Sequence, residues 1–374
     1  MIQTYSSTIR RKEMEAVLTC MVDEKIGPGE MKERLVQTIK ENMGCDGAVP
    51  LRSPSLALEY ALKALNIAAG EGVMLSALSP SWQLVCLEKL GYKAIVLDVE
   101  EETGLVKLES VQKGIEKGGK VLVLSETMGI LPSINDFLAL GLPVIEDISQ
   151  SALSYYPEEY SPEETALKRA KMVKAEQSKG EGESKDEEPL GRRAGMFGSY
   201  AILGTESTDI ITSGGGAILI AGARKDWIAL KAITDFLPST DIMPDMNAAL
   251  AIVEIKEFKR NEISREEIFT LYSRAIMSGK HRTFVRGEGR ESTVYSFPLV
   301  LNSGFKEVKA YVQKKGIEIR PAFENSIIAF QQEKYSGECP CANSLFLRCA
   351  LFPLYPRLGQ KDVSKIVKLL STLP

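Results

Sequence analysis

Histidine is nearly absent from this sequence: only His281 occurs among the 374 residues. A metal site built from several histidines is therefore excluded, and a Ser-His-Asp triad would depend entirely on this one residue. His281 lies in the polar run at residues 278–282, Ser-Gly-Lys-His-Arg. We therefore predict a solvated loop histidine and no metal-binding residues.

Long apolar runs and blocks of basic residues are also missing. No apolar stretch approaches the roughly 20 residues that a membrane helix needs. The formal net charge is -4, and charges of both signs are mixed along the chain, which argues against a nucleic-acid partner. The first five residues precede a charged segment, so no signal peptide is expected. We predict a cytoplasmic protein with neither a membrane nor a nucleic-acid partner.

Cysteines are few and scattered, which favours reduced thiols over a disulfide framework. The one close pair is Cys339 and Cys341, separated by Pro340. Zinc and redox motifs have a two-residue spacer, which this pair lacks. We predict that the pair lies in a loop and has no metal or redox role.

What the sequence does contain is a regular alternation of short apolar strands and helices. Strands are predicted at residues 73–75, 94–98, 120–124 and 143–146, with helices between them. This order predicts an α/β fold with a mainly parallel sheet covered on both faces. Ligands of such sheets bind beyond the carboxyl ends of the strands. The turn at residues 53–55, Ser125 and Asp147 should all lie at that edge.

Two further regions differ from this pattern. Residues 156–193 are rich in charge and poor in apolar residues, so we predict a flexible insert, with a solvated helix at 163–177. The remaining sequence predicts a large α/β domain over residues 1–245. A linking helix and a smaller C-terminal α+β domain should follow over residues 246–374.

An ordered set of motifs carries a resemblance to a known family. The motifs are Ser-Pro-Ser-Leu-Ala-Leu at 53–58, Pro-Ser-Trp at 80–82, Glu-Asp-Ile-Ser-Gln at 146–150, and Leu-Phe-Pro-Leu-Tyr-Pro-Arg-Leu at 351–358. The set resembles the sugar-nucleotide aminotransferases of the DegT/DnrJ/StrS type, from about residue 10 to the end of the chain, excluding the insert. That family implies the fold of type I pyridoxal-phosphate (PLP) transferases, similar to aspartate aminotransferase.

The resemblance also implies roles for individual residues. Asp147 would keep the pyridine nitrogen of PLP protonated, which the cofactor needs as an electron sink. Trp82 would stack on the ring, while Ser53 and Ser55 would offer hydroxyls to the phosphate and Gln150 would complete the cofactor site. Simpler interpretations stay open, since an aspartate in this position can also satisfy loop amides. A tryptophan can equally be an ordinary core residue.

The match fails at the Schiff-base lysine. Counting from the glycines at 195 and 198 to Gly214 places that position at Asp209, and no lysine occurs between Lys185 and Lys225. An aspartate cannot form a Schiff base. Three further positions depart from the family pattern. Gly204 stands where the family has a phosphate-binding serine, and Gly215 replaces the glutamate of the Gly-Glu-Gly-Gly run. Glu126 replaces the histidine of a turn.

Three hypotheses follow from this combination. In the first, the chain keeps the fold but has lost Schiff-base transamination. It then binds a sugar nucleotide or pairs with an active paralogue, as a homodimer or heterodimer, and holds PLP or pyridoxamine phosphate (PMP) only noncovalently, if at all. In the second, it is a PLP- or PMP-dependent sugar aminotransferase or dehydratase that uses Asp209 as an unusual base. In the third, it is a scaffold whose charged insert recruits a partner.

Overall fold

The structure is a computed structural model that describes residues 1–157, 191–277, 279–287 and 290–374. The helix predicted at 163–177 and most of the charged insert fall on residues 158–190, outside the described part of the chain. The scaffold hypothesis, which depends on that insert, therefore stays a prediction.

Helices and short strands alternate along the described residues. The helices are α1 (Arg11–Val22), α2 (Glu30–Met43), α3 (Pro54–Ala64), α4 (Ser81–Leu90), α5 (Leu108–Glu116), α6 (Ile134–Leu138), α7 (Arg224–Thr234), α8 (Asp245–Ile276), α9 (Phe305–Lys314), α10 (Ile327–Phe330), α11 (Gln332–Tyr335), α12 (Pro340–Arg348) and α13 (Gln360–Leu370). The strands are β1 (Gly47–Leu51), β2 (Gly72–Ser76), β3 (Lys93–Leu97), β4 (Gly119–Ser125), β5 (Val144–Asp147), β6 (Tyr155–Pro157), β7 (Gly191–Arg193), β8 (Tyr200–Gly204), β9 (Ala217–Ala221), β10 (Phe297–Val300), β11 (Arg320–Pro321) and β12 (Cys349–Phe352).

The largest sheet has seven strands in the order β1-β9-β8-β5-β4-β2-β3. The pairings from β3 through β2, β4 and β5 to β8 are parallel. Only β9, paired with β8 and β1, runs antiparallel to its neighbours. The predicted α/β fold with a mainly parallel sheet is therefore confirmed.

Side chains of the central strands alternate between two cores. On β4, Val121 and Val123 pack into one hydrophobic cluster, while Leu122 and Leu124 pack into another. This alternation follows from the two-residue repeat of a strand, and it shows that both faces of the sheet are covered. The parallel register also places Ser125 opposite Asp147 at the carboxyl ends of β4 and β5. Ser125 and Asp147 therefore lie side by side at the edge of the sheet where a ligand is expected to bind.

The C-terminal region has its own small sheet, in the order β10-β12-β11. Its core includes Tyr272 of α8, whose ring lies edge-on to Phe297 with centroids 5.2 Å apart. Strand β11 is short and pairs with β12 at two positions. The division into domains at residue 245 falls at the first residue of α8, and it stays a prediction.

Two smaller expectations are wrong. His281 is buried, with 8% of its surface exposed, because its Nε2 lies 3.1 Å from the carbonyl oxygen of Pro374 and its Nδ1 accepts the Asn302 N–H at 3.2 Å. Cys339 and Cys341 do not lie in a loop, since Cys339 caps α12 and Cys341 belongs to it. All six cysteines are free, as predicted. Within the described residues, no helix combines the length and apolar character needed to cross a membrane.

Candidate functional site

A cavity of about 240 Å³ opens at the carboxyl ends of β4 and β5. Its walls come from the edge of the large sheet, the starts of α3 and α4, the loop between β8 and β9, the N-terminal segment and the C-terminal region. Carboxyl groups and aromatic rings dominate the lining that the structure describes. The acidic residues are Glu126, Asp147, Glu206, Asp209 and Glu324, and the aromatic residues are Tyr5, Trp82, Tyr295 and Phe323.

Asp147 ends β5, and hydrogen bonds hold both of its carboxylate oxygens. Oδ1 accepts the backbone N–H of Ser149 at 3.2 Å and its hydroxyl at 2.6 Å. Oδ2 accepts the side-chain amide of Gln83 at 2.7 Å, and the same amide reaches Ser125 Oγ at 3.0 Å. Burial raises the pKa of Asp147, while these donors act in the opposite direction. The carboxylate is therefore fixed in position at the cavity.

The preceding residue, Glu146, points away from the cavity and organises the next loop. Its two carboxylate oxygens accept backbone N–H groups from Gly195 at 2.9 Å, Phe197 at 2.9 Å and Gly198 at 2.5 Å. The side chain is completely buried, and burial raises its pKa while the three N–H donors lower it. Glu146 thus couples the end of β5 to the segment that leads into β8.

Asp209 lies in the loop between β8 and β9 and folds back on that loop. Its Oδ2 accepts the N–H of Glu206 at 2.8 Å, and its own N–H donates to the Glu206 carbonyl at 3.1 Å. Burial raises the pKa of Asp209 to about 8, and the nearby charges of Asp147 and Glu206 contribute in the same direction. The carboxyl groups of Asp147 and Asp209 therefore both line this cavity.

Gly204 provides the space in which this arrangement fits. A Cβ atom at this position would lie 2.6 Å from Asp209 Oδ2 and 2.7 Å from Ser149 Oγ. The Gly204 N–H also donates to that same Ser149 hydroxyl at 2.8 Å. The glycine and the aspartate therefore fit together sterically, since a larger residue at 204 would collide with the carboxylate of Asp209.

The far end of the same loop is closed by three glycines. Ser213 and Gly215 donate their N–H groups to the carbonyl of Thr205, at 2.9 and 3.1 Å. Gly216 has a φ of +115°, and a Cβ there would lie 2.6 Å from Met243 Cε, so only glycine fits. The loop is thus constrained at both ends, and Asp209 lies between them.

The structure brings together four of the residues expected from the sequence. Trp82, Asp147, Gln150 and Asp209 all line the cavity. The carboxyl end of a predicted strand located Asp147, the family resemblance indicated Trp82 and Gln150, and the residue count from the neighbouring glycines indicated Asp209. In addition, Gln150 Oε1 accepts the N–H of Met128 at 2.7 Å, which braces the neighbouring turn.

The other expected residues lie just outside the described cavity lining. Ser53 caps α3, where its Oγ accepts the N–H of Leu56 at 3.3 Å. Pro54, rather than Ser53 or Ser55, contributes to the lining. Gly204 lies behind Asp209. The proposed cofactor roles of these three residues stay predictions.

Several lining residues were not identified from the sequence. Tyr5 comes from the N-terminal segment, while Tyr295 and Arg320 come from the C-terminal region. No local motif marks them, because the fold brings them to the cavity from distant parts of the chain. Gln83 could have been found, since it follows Trp82 in the same helix turn.

Glu126 is the most deeply buried acid of the lining, with 1% of its surface exposed. It accepts hydrogen bonds from the Ser151 hydroxyl and, at 3.4 Å, from the Tyr156 hydroxyl. Burial, followed by the charge of Glu146, raises the pKa of Glu126 well above its usual range. A deeply buried carboxyl group therefore stands where the family resemblance placed a histidine.

The sequence matches the DegT/DnrJ/EryC1/StrS aminotransferase family over residues 7–222 and 233–371. The chain belongs to this family. The resemblance drawn from the motifs is thereby confirmed, and it extends over nearly all of the sequence.

Solved structures of aminotransferases share the fold of this family member. The aminotransferase TlmJ from Streptoalloteichus hindustanus is 16% identical, with 99% of this chain and 98% of that chain covered at a TM-score of 0.81. The PLP form of Spr1654 from Streptococcus pneumoniae is 15% identical, with 98% and 96% covered at 0.81. Helicobacter pylori PseC, an aminotransferase involved in pseudoaminic acid biosynthesis, is 14% identical, with 97% and 96% covered at 0.77. These similarities confirm the transferase fold.

The family is PLP-dependent, but the described lining of this cavity does not fit PLP. The cofactor carries a phosphate, and Schiff-base attachment needs a lysine. Among the described residues, no lysine lines the cavity, and its one basic residue, Arg320, lies 3.3 Å from Glu318 and 3.6 Å from Glu324. Since the one basic group of the lining is already paired with two carboxylates, the cavity is poorly suited to an anion such as a phosphate.

Proposed function

We propose that this family member does not attach PLP covalently and has lost Schiff-base transamination. The proposal rests on Asp209, which the residue count from the neighbouring glycines assigns to the lysine position, and whose carboxylate accepts the N–H of Glu206 at 2.8 Å. A carboxylate has no nucleophilic amine, so it cannot form the covalent link on which transamination depends.

Electrostatics oppose the phosphate as well once Asp209 is ionised, which its pKa of about 8 places above neutral pH. At an effective dielectric constant of about 20, two like charges about 4 Å apart repel each other by about 4 kcal/mol. Such a penalty would weaken PLP or PMP binding by roughly three orders of magnitude. If either cofactor binds, it does so noncovalently, with Asp147 and Trp82 as the remaining contacts that the family pattern offers.

The biological role that we propose is that of a non-catalytic subunit. It would bind a sugar-derived ligand, or assemble with an active paralogue as a heterodimer, or with itself as a homodimer, in the cytoplasm. The family match supports this role because it shows that the family's fold is kept, while the residue count assigns an aspartate to the position of the Schiff-base lysine.

One observation favours a second function. The pKa of Asp209, raised to about 8, is close to the value that a general acid or base needs near neutral pH. In this alternative the chain is an aminotransferase or a dehydratase in deoxyaminosugar or polysaccharide biosynthesis. It would use noncovalent PMP or PLP, and Asp209 would transfer the proton.

Cofactor titration with borohydride trapping separates these functions. The purified protein is mixed with PLP, reduced with borohydride and digested for mass spectrometry. We expect no visible Schiff-base band and no reduced pyridoxyl-lysine. A stable band that maps to any lysine of the chain, including those at residues 158–190, would overturn the proposal. PMP that copurifies, leaves on denaturation and supports turnover would establish the alternative.

Two lysine variants test the position itself. Asp209→Lys should acquire the Schiff-base band if residue 209 is the equivalent of the lysine position. Glu206→Lys is the matched control, because Glu206 lines the same cavity on the same loop. Equal labelling of both variants, or labelling of the control alone, would contradict the assignment.

A further inference from the structure

We propose that the cavity beside Asp147 and Asp209 binds a small organic cation, an amine in its ammonium form. The inference rests on the proposed function, because covalently attached PLP would fill this space. It concerns the ligand of the same site, and it reverses the sign of the charge that a PLP cavity recognises.

The first argument is the pair of carboxyl groups, those of Asp147 and Asp209, that line the cavity. Asp209 and Asp147 face the same space, and the charge of Asp147 contributes to the raised pKa of Asp209. Asp209 Oδ2 is bonded to Glu206, but Oδ1 has no hydrogen-bond partner in the described part of the chain. An ammonium group bound beside these two carboxyl groups would stabilise the ionised form of Asp209 and so lower its pKa, and it would donate to the free oxygen.

The second argument is the aromatic wall. Trp82, Tyr5 and Tyr295 contribute rings to the same cavity as the two aspartates. The face of an aromatic ring attracts a cation, and tryptophan does so most strongly. The chain already uses this interaction at the cavity, where the guanidinium of Arg320 lies 5.8 Å from the centroid of the Tyr5 ring. Carboxylates and aromatic rings together form a lining suited to an organic ammonium ion.

The third argument concerns which cation fits. Across the described residues, no group of three or more acidic, cysteine or histidine side chains is arranged to hold a metal ion. The volume of about 240 Å³ is below the roughly 300–1,000 Å³ of sites for drug-sized ligands. An amine on a single ring or a short carbon skeleton therefore matches the cavity better than a metal ion or a nucleotide.

Three probes of nearly equal size test the sign of the charge. Benzylammonium, benzyl alcohol and benzoate are titrated into the full-length protein by calorimetry at low salt. We expect benzylammonium to bind at least about tenfold more tightly than benzyl alcohol, benzoate not to bind, and added salt to weaken benzylammonium binding. Equal affinity for ammonium and alcohol, or preferential binding of benzoate, would overturn the inference.

Variants locate the binding. Asp209→Asn, which keeps the shape of the side chain, and Trp82→Leu should each weaken benzylammonium about tenfold. Glu109→Gln, an exposed acid in the first turn of α5, should leave the affinity unchanged. Equal effects of Glu109→Gln and Asp209→Asn would indicate nonspecific attraction and overturn the inference. If Asp209→Asn does not fold, the comparison of the three probes on the unaltered chain decides the question.

The outcomes for the ligand and for the proposed function are distinguishable. Absence of both ammonium binding and a Schiff-base band would refute the cation site and leave the proposed function intact. A Schiff-base band that maps to a lysine would refute the proposed function, whatever the probes show.

Discussion

Asp147 and Asp209 face one cavity, but the chain supports them in different ways. Asp147 ends a strand that is paired in parallel on both sides, and neighbouring side chains hold both of its oxygens. Asp209 lies in a loop, and among the described residues only one of its oxygens has a hydrogen-bond partner, which comes from that same loop. Asp147 belongs to a motif that resembles the family pattern, whereas the residue count predicts that Asp209 replaces the family's lysine.

The difference indicates where a family fold tolerates change. Altering Asp147 would disturb Gln83, Ser149 and two strand pairings, because all of them meet at one residue. Altering position 209 disturbs a single turn. A substitution that removes the attachment point of a cofactor can therefore accumulate in the loop without disturbing the sheet.

The largest expected effect tests the strand side. Glu146→Ala removes the acceptor of three backbone N–H groups in a completely buried setting. Since each buried donor left without a partner costs about 1–3 kcal/mol, we expect a loss of about 3 kcal/mol or more. Urea unfolding measures the loss. Glu126→Ala is the control, because the described hydrogen bonds to the Glu126 carboxyl group come from side-chain hydroxyls and not from backbone N–H groups. An equal loss of stability in Glu126→Ala would contradict the special role of Glu146.

The second prediction concerns the steric fit of Gly204 and Asp209. Gly204→Ser places a Cβ 2.6 Å from Asp209 Oδ2, and overpacking of this kind costs about 1–3 kcal/mol. Part of that cost should disappear when residue 209 is alanine. A double-mutant cycle by thermal or urea unfolding measures the coupling. Additive effects of the two substitutions would show that the residues do not constrain each other.

The third prediction uses pH. The pKa of Asp209 is raised to about 8 in the folded chain, above the usual value of 3.8, so the folded state binds its proton more tightly than the unfolded state does. Its contribution to stability is complete below pH 3.8 and is lost as the pH rises through about 8. The stability difference between the unaltered chain and Asp209→Asn should therefore change in favour of the variant from pH 5 to pH 9.

The same titration can be observed directly by carbon NMR of the Asp209 carboxyl group. Asp147→Asn removes a neighbouring charge that raises the pKa of Asp209, so the midpoint should move to lower pH. A midpoint near 4 in the unaltered chain would refute the electrostatic description of the loop.

The smallest expected effect is at the helix that follows the turn at residues 53–55. Ser53→Ala removes the side-chain acceptor for the N–H of Leu56, and loss of an N-cap costs about 1 kcal/mol. Ser53→Asp keeps an acceptor and should retain most of the stability in urea unfolding. A loss from Ser53→Asp as large as that from Ser53→Ala would indicate another role for the hydroxyl.

Much of the large domain could be predicted from the sequence, because local signals and the fold agree there. The apolar runs at 120–124 and 143–146 lie within or next to β4 and β5, and the acidic turn after β5 places Asp147 at the cavity. The Glu-Asp-Ile-Ser-Gln motif also predicted Gln150 as part of the site, and Gln150 lines the cavity.

Contacts between distant parts of the chain could not be predicted in this way. Tyr5 and Arg320 reach the cavity only through the tertiary fold, and His281 is buried because Pro374 and Asn302 meet its ring. The sequence also does not show that the Asp209 side chain turns back toward its own loop, since that conformation depends on the space beside Gly204. Counting residues assigned the lysine position to Asp209, but it gave no information on the conformation of the Asp209 side chain.

The small ribbon formed by β6 and β7 has a practical use. Tyr156 is paired with Arg192, and Pro157 is paired with Gly191, so the two ends of the segment at residues 158–190 are fixed side by side. A two-residue turn should therefore join them without displacing either strand. Such a shortened chain would keep its fold and its cavity, and comparing what it captures with what the full-length chain captures would isolate the contribution of the charged segment.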